Sequence, residues 1–362
     1  MLSPVGEFLR RKIMKRCKIV ILLAFWCCAF FSNAAENLKF IEQWKHPGEI
    51  FDKLATGKVD KDGHVVGLFF KTPISLISKE KVTHIIPFGE GPSDLAGCYT
   101  FFRYGDGLAF VERNFKIKIF TKKNGTYVWK ETLWLKKGPV GHSPKNGVFF
   151  DNKIFLTGFT EPIQSKIKNE ATLVRVYDTK GDLLKDLVKT KSITGSRLYM
   201  MIYHIVPYKN DRLLFLPSNE LKVSVISAKS LEVVKEASLQ IPSFYKKMPG
   251  NFYFRESYAN PRYNFARDLE EWAAGYSRVT TCGVDKSYLV VQIRTCSEKM
   301  KKFALLFYNA DTFKLENTIY TDDFLLDIKD GKYYFFENGE PGLDEDACED
   351  LNINICKLEQ QK

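Results

Sequence analysis

Six recurrences of one short pattern predict an all-β chain, a six-bladed β-propeller of four-stranded antiparallel blades. Three observations carry that reading. A polar turn runs into an apolar strand six times along the chain. Each such strand is followed by an alternating strand, a second polar turn and a further strand, the period-2 signature of antiparallel sheet. Aromatic residues make up 14% of the 362, as suits a fold built from broad sheet-on-sheet contacts.

The recurring turns are Lys61-Asp62-Gly63, Gly105-Asp106-Gly107, Asp151-Asn152-Lys153, Lys209-Asn210-Asp211, Val284-Asp285-Lys286 and Lys329-Asp330-Gly331. The apolar runs after them include Val65 to Phe70, Leu108 to Val111, Ile154 to Leu156, Leu213 to Leu216, Tyr288 to Ile293 and Tyr333 to Phe336. In the second unit the alternating strand Phe115 to Phe120 precedes Lys122-Lys123-Asn124-Gly125 and then Tyr127 to Trp129. Asn-Gly between alternating runs is a strong hairpin signal. The remaining units show Ile74 to Ile77 with Val82 to Ile86, Leu173 to Tyr177 with Leu183 to Val188, and Leu221 to Ile226 with Leu231 to Val234. Phe303 to Tyr308 with Phe313 to Ile319 completes the fifth unit, and Ile353, Ile355 and Leu358 close the last. The turns recur at about 44, 45, 59, 75 and 45 residues, and 40 to 50 is one propeller blade. The two long intervals predict insertions. A strand from Phe40 to Trp44 is expected to join the final blade and close the ring.

The first segment reads as an address. Arg10, Arg11, Lys12, Lys15, Arg16 and Lys18 precede an apolar run, Ile19 to Phe31, ending at Ser32-Asn33-Ala34-Ala35. That is the form of a signal peptide over residues 1–34, with 1–13 an overextended start because Met14 opens a more usual one. The run falls short of the roughly 20 residues a spanning helix needs. An uncleaved anchor stays open as the alternative, and Phe25-Trp26 ahead of Cys27 disfavours lipidation. Residues 36–362 are then one exported domain, bacterial and periplasmic or secreted. Losing six basic and one acidic side chain lowers the net charge from +11 to +6. Such a chain favours anionic surfaces, a protein or glycan partner of the cell envelope, and not nucleic acid.

Export permits disulfides. Cys98, Cys282, Cys296, Cys348 and Cys356 remain after cleavage. Cys282 with Cys296, and Cys348 with Cys356, are the candidate local pairs, with buried free thiols as the alternative. No C-x-x-C is present, which disfavours zinc ribbons and thioredoxin-like chemistry.

The segment Ile85-Ile86-Pro87-Phe88-Gly89-Glu90-Gly91-Pro92-Ser93-Asp94 resembles the Gly-x-Gly-Pro-Gly-Glu turn of the bacterial six-bladed β-propeller family related to NHL and TolB-type propellers. The matching residues are Gly89, Glu90, Gly91, Pro92 and Asp94. Ser93 stands where the family prefers Gly and Asp94 where it prefers Glu. The resemblance implies the fold and export, and little about activity. Lyases and hydrolases of NHL type bring His and acidic residues from separate blades to the axis around a metal, so a metal-assisted hydrolase or lyase is the alternative function.

No catalytic residue stands out. The five histidines lack metal-ligand spacing, and His204, in Tyr203-His204-Ile205-Val206, reads as a satisfied core histidine. Gly138 to Ser143 reads as an inter-blade turn. There is no G-x-S-x-G elbow, P-loop or dinucleotide fingerprint. No cofactor and no metal site are predicted. Calcium is the one ion left open, because Glu337 to Asp350 carries Glu340, Asp344, Glu345, Asp346, Glu349 and Asp350, although without the EF-hand register. The insertion at 241–278 is the candidate binding surface. It mixes ten aromatics with six basic residues, and Tyr245, Arg255, Tyr258, Arg262 and Trp272 are the chosen binding residues. Aromatics with arginine are the composition of binding hot spots and of sugar-stacking surfaces. A flap that packs on the propeller is the alternative. The function predicted is an exported binding module, with enzymatic activity left open as the metal-assisted hydrolase or lyase alternative.

Overall fold

A computed structural model describes residues 37–51, 54–69, 73–112, 115–136, 142–160, 170–191, 203–248, 274–297, 299–337, 339–340 and 348–359. The propeller lies in the unit Lys39–Lys357. Of the other unit, Met1–Leu38 with Leu358–Lys362, only the outer ends of two strands are described. The segment 1–34, predicted as a signal peptide, falls outside the described residues.

Six four-stranded sheets make six blades. Blade 1 holds β2 (Leu54–Val59), β3 (Val65–Phe69), β4 (Ile74–Ile77) and β5 (Val82–Ile86). Blade 2 holds β6 (Cys98–Tyr104), β7 (Gly107–Glu112), β8 (Lys116–Lys123) and β9 (Thr126–Trp134). Blade 3 holds β10 (His142–Phe150), β11 (Lys153–Thr160), β12 (Glu170–Asp178) and β13 (Leu183–Lys191). Blade 4 holds β14 (Tyr203–Tyr208), β15 (Arg212–Pro217), β16 (Lys222–Ser227) and β17 (Glu232–Ser238). Blade 5 holds β18 (Arg278–Asp285), β19 (Tyr288–Arg294), β20 (Phe303–Asn309) and β21 (Leu315–Thr321). Blade 6 takes β22 (Phe324–Lys329), β23 (Lys332–Phe336) and β24 (Cys348–Glu359), and its fourth strand is β1 (Asn37–Phe51), hydrogen-bonded to β24. The strand expected from Phe40 to Trp44 is thus present, longer than expected, and it closes the ring.

The recurring turns join the first two strands of each blade. Phe150 pairs with Lys153 across a two-residue loop whose members, Asp151 and Asn152, have φ of 50° and 54°. Two successive positive φ values are what the twist of a tight hairpin demands, and Asp and Asn tolerate them.

The apolar pattern is more continuous than half-buried sheet predicts. Every residue of β3, β4 and β7 is buried. The reason is that each blade is covered on both faces by its neighbours, so solvent is met mainly by the outermost strand, as in β17, and at the ends of the innermost, as in β6. The core is accordingly divided among the seams. Ile226 of blade 4 packs with Phe155 and Val176 of blade 3, and Leu306 of blade 5 with Leu216 and Val223 of blade 4. Near the axis the inner strands come so close that side chains must alternate large and small. A Cβ on Gly147 of β10 would lie 2.7 Å from the Phe102 ring of β6, and one on Gly283 of β18 would lie 2.9 Å from Ile328 of β22. Glycine is the residue that permits this approach.

The closing seam is built around β1. Trp44 is buried with Leu54, Val65 and Phe69 of blade 1 and with Tyr334, Phe336 and Ile353 of blade 6, its ring edge-on to Tyr334 at 6.1 Å. His46 Nε2 is 2.9 Å from the Ser78 carbonyl, and Lys79 pairs with Glu42 at 2.9 Å. One strand therefore touches both blades that meet there. Trp44→Ala is expected to cost about 3–5 kcal/mol of stability, as for a truncated buried tryptophan. Trp134→Ala, at a residue 61% exposed, should change stability by less than about 1 kcal/mol. Urea denaturation of both variants checks this, and equal losses would contradict a clasp role for β1.

Candidate functional site

The first strands of the six blades, β2, β6, β10, β14, β18 and β22, wall an axial channel. Its first chamber, about 160 Å³, is lined by Thr56 and Lys58, Thr100, Lys145 and Asn146, His204, Thr280 and Thr281, Phe324, and Glu340 among others. A second chamber of about 340 Å³ is lined by Lys58, Arg103, Val148, Pro207, Cys282, Asp327 and neighbours. Chain direction distinguishes the two. The first chamber draws on the beginnings of the inner strands and the second mainly on their later residues. The hairpin turns lie at the second-chamber end, and the connections between blades lead to the first-chamber end.

The charges inside are unequally satisfied. Asp327 is surrounded by donors. Val59 N–H donates to it at 2.9 Å, and the Arg103 guanidinium also donates to it. Burial alone would push its carboxyl up, but Arg103 and Lys58 override this and hold it below the usual aspartate value. Glu340, 4% exposed, sits between Arg278 Nη2 at 2.5 Å and Arg294 Nη1 at 3.2 Å. His204 is 5% exposed and its Nε2 has no partner. Burial, and the nearby Lys58 charge, push its pKa down to about 4, against a hydrogen bond to the Val279 backbone that acts the other way. Lys58 itself, half-buried, has no hydrogen bond or ion pair among the described residues.

The predicted binding residues divide. Arg255, Tyr258, Arg262 and Trp272 fall outside the described residues. Tyr245 belongs to the root of the insertion and packs against the seam of blades 4 and 5, its hydroxyl donating to the Asn219 carbonyl at 3.3 Å. The two ends of the insertion are tied together. Ser277 N–H donates to the Lys246 carbonyl at 2.9 Å and Lys246 N–H to Ser277 Oγ at 3.0 Å. The second end enters β18 just ahead of Thr280 and Thr281, so the insertion is rooted beside the first chamber.

The turn at Gly89, Glu90, Gly91, Pro92 and Asp94 is a structural latch between blades 1 and 2. Asp94 folds back so that its carboxylate accepts from Gly91 N–H at 3.2 Å, and a Cβ on Gly89 or Gly91 would lie 2.5 or 2.7 Å from that carboxylate. Buried Lys118 reaches from β8 to the Gly91 carbonyl at 3.1 Å and to the Asp94 carbonyl, with Glu112 at 3.6 Å as its counter-ion.

Neither proposed cysteine pair is formed. Cys282, Cys296 and Cys356 carry free thiols, as does Cys98. Cys348 and Cys356 lie on one strand, β24, where eight residues span ~26 Å, against the ~7 Å limit between the Cα atoms of a disulfide. Cys282 pairs opposite Val291, and Cys296 lies beyond the end of β19, more than ~10 Å along. The alternative of a buried free thiol describes Cys282, whose pKa burial pushes up to about 12, whereas Cys296 and the unpaired Cys98 are half-buried.

Of the acidic stretch Glu337 to Asp350, left open for calcium, the structure describes the surroundings of Glu340. Glu340 is buried between two arginines and has no oxygen left for a cation, while Asp344, Glu345 and Asp346 lie outside the described residues. A different cluster, Asp60, Asp62 and His64, brings ligand atoms within 4.8 Å of one another. Lys122 Nζ already stands 2.6 Å from both Asp60 Oδ2 and Asp62 Oδ2, and Tyr127 donates to Asp60 at 3.0 Å. An ammonium holds the position an ion would take, so this set fits a calcium ion only if Lys122 withdraws. Sequence reading missed Lys58 and the unpaired Nε2 of His204. The one legible signal was a histidine early in an inner strand.

No known family model matches the chain, and no curated protein matches it. Solved structures do. A DUF4221 family member from Bacteroides vulgatus ATCC 8482 superposes with a TM-score of 0.56 at 14% identity, over 91% of this chain and 100% of that one. A Bacteroides fragilis NCTC 9343 protein described as exported gives 0.53 at 12%, over 91% and 97%. A luciferin-regenerating enzyme gives 0.50 at 8%, over 88% and 98%. At these identities the likeness is one of fold.

The buried histidine makes stability depend on pH. An unfolded chain protonates His204 below about pH 6.5 and the folded one only near pH 4, so stability is full above 6.5 and falls as the pH drops through that window. The full loss is about 3 kcal/mol. His204→Gln is expected to flatten the stability curve between pH 6.5 and 4. Loss below pH ~4 should persist, because Asp60 and Asp327 have lowered pKa values and contribute stability only while ionised. Denaturation midpoints across this range check both parts.

Proposed function

We propose that the chain is an exported binding module, akin to NHL and TolB-type propellers, that takes a protein or glycan of the bacterial cell envelope at the first-chamber face. One observation carries the reading. The connections β5–β6, β11–β12, β13–β14, β17–β18 and β23–β24, the longest in the chain, all join strands at the face where the Lys58 and His204 chamber opens, whereas the opposite face has tight hairpins. Binding residues concentrate on loops held by a rigid scaffold. The aromatic and basic insertion, with Arg255, Arg262 and Trp272, supplies the contact chemistry. The Bacteroides fragilis neighbour described as exported, together with the signal-peptide form of residues 1–34, supports the compartment.

The second reading is a metal-assisted hydrolase or lyase. Its support is the Asp60, Asp62 and His64 cluster and the existence of an enzyme among the structures of similar fold. Fold does not carry function by itself. The two axial carboxylates, Asp327 and Glu340, are engaged by arginines, and calcium at Asp60 would have to displace Lys122.

Affinity capture from native envelopes tests the first reading. Wild type is expected to recover a partner that the triple variant Arg255→Ala, Arg262→Ala, Trp272→Ala loses by at least about tenfold, with unchanged thermal unfolding. Equal recovery by both proteins would contradict it. So would turnover of an ester, lactone or glycan that Asp60→Asn abolishes.

A further inference from the structure

The wider of the two chambers, about 340 Å³, lies at the hairpin end of the channel, away from the loop-bearing face. All six hairpins that border that end are among the described residues. Arg103 on β6 and Pro207 on β14 line the chamber and are exposed there, so it opens to solvent through this mouth. Pockets of about 300 Å³ or more, lined mostly by apolar groups with a few convergent polar ones, are where proteins take small molecules.

The wall is divided between two kinds of chemistry. Blades 3, 4 and 5 present an apolar arc, with Val148 and Phe149 from β10, Val206 and Pro207 from β14 and Val284 from β18, and Ile328 of β22 extends it. Val148, Phe149, Val206 and Val284 are only partly buried in the seams between blades, which leaves carbon surface facing the chamber. Covering such surface with an apolar solute releases water and is favourable.

The facing arc, from blades 6, 1 and 2, carries all the charge among the lining residues, on Asp327, Lys58 and Arg103. Asp327 accepts from the Val59 and Ile328 amides at 2.9 and 3.0 Å and from Arg103, and the Lys58 charge acts on the same carboxylate. Two cations therefore share one carboxylate, and the arc keeps an excess positive charge. Arg103 also keeps donors. Among the described residues only its Nη2 is bonded, to Asp327, and a guanidinium carries five N–H groups in a planar fork, so Nη1 and Nε stay open to a second acceptor. A positive arc facing an apolar one across a small space complements a molecule with an anionic end and a hydrocarbon body. A carboxylate makes the stronger, charge-assisted hydrogen bond to a guanidinium. A dry cavity of about 150 Å³ holds a benzene ring. The chamber's 340 Å³ thus admits a ring with a short chain.

We propose that the second chamber binds a small apolar monocarboxylate, its carboxylate on the open edge of Arg103 and its hydrocarbon body against blades 3, 4 and 5. This goes beyond the envelope-partner reading, because the site lies at the other end of the channel and uses no residue of the insertion.

Titration calorimetry of the purified chain at pH 7.5 with 3-phenylpropionate, 3-phenylpropanol and propionate tests it. 3-Phenylpropionate is expected to bind at least tenfold more tightly than the alcohol, which lacks the charge, and than propionate, which lacks the ring. Arg103→Gln and Val206→Phe, the second filling part of the apolar arc, are each expected to weaken that binding at least tenfold while unfolding cooperatively. Where a variant fails to fold, methyl NMR of the wild type replaces it. Ring-current shifts on saturation should fall on Val148, Val206, Val284 and Ile328 and spare Val128 and Val234, which are exposed on the outer strands β9 and β17. Equal affinity for the acid and either analogue, wild-type affinity in either folded variant, no binding at millimolar concentration, or shifts on Val128 and Val234 as large as those in the chamber would overturn the proposal. The triple variant of the insertion is expected to bind 3-phenylpropionate as wild type does, whatever it captures from envelopes. A tenfold loss there would place the site at the insertion and overturn the chamber.

Discussion

Everything in this molecule depends on one strand pairing made across nearly the whole sequence, β1 against β24. A four-stranded blade is too small to bury two faces, and its stability comes from the blades on either side. A line of six such sheets leaves two end faces bare, whereas a ring leaves none. The residues that close the ring come from the beginning and end of the chain. Trp44 lies in the same apolar cluster as Phe69 of blade 1 and Phe336 of blade 6, and His46 and Glu42 reach to the β4–β5 turn. The entropy of joining distant segments is met once, and the seams between all blades then hold together.

Closure also creates the channel and its electrostatics. Six strands brought around an axis place side chains from separate blades in one confined, partly desolvated space. Polar groups there cannot all find partners within the protein. Arg103 on β6 meets Asp327 on β22, and Arg278 on β18 meets Glu340 beyond β23, so two charge pairs are made between elements far apart in sequence. Lys58 and His204 are left over.

The six turns and the strands after them were legible because they are local. Asp151-Asn152 and Asp330-Gly331 announce hairpins by the backbone conformations they tolerate, and Val65 to Phe69 or Leu289 to Ile293 announce strands by continuous hydrophobicity. The innermost strands are less regular to the eye. Ala55-Thr56-Gly57-Lys58 and Val279-Thr280-Thr281-Cys282 mix small and polar residues because they face an aqueous channel on one side and crowd one another on the other. That composition hides the site. Lys58 looks like any strand lysine until β22 and β14 are placed around it. The cysteines failed for a related reason. Proximity in sequence suggested Cys348 with Cys356, but an extended strand keeps neighbours in sequence far apart in space. The buried Lys118 similarly reads as the polar half of an alternating strand, and only the fold shows it fastening the Gly89 to Asp94 turn.

Amide hydrogen exchange along β1 measures ring closure directly. If the β1–β24 pairing is what the other seams depend on, the β1 amides hydrogen-bonded to β24 will exchange only through global unfolding. Their opening free energy will then match that of β7 and β19 in the blade interiors. Exchange of β1 orders of magnitude faster, with the remaining blades still fully protected, would show that the ring holds without its clasp and would contradict the account.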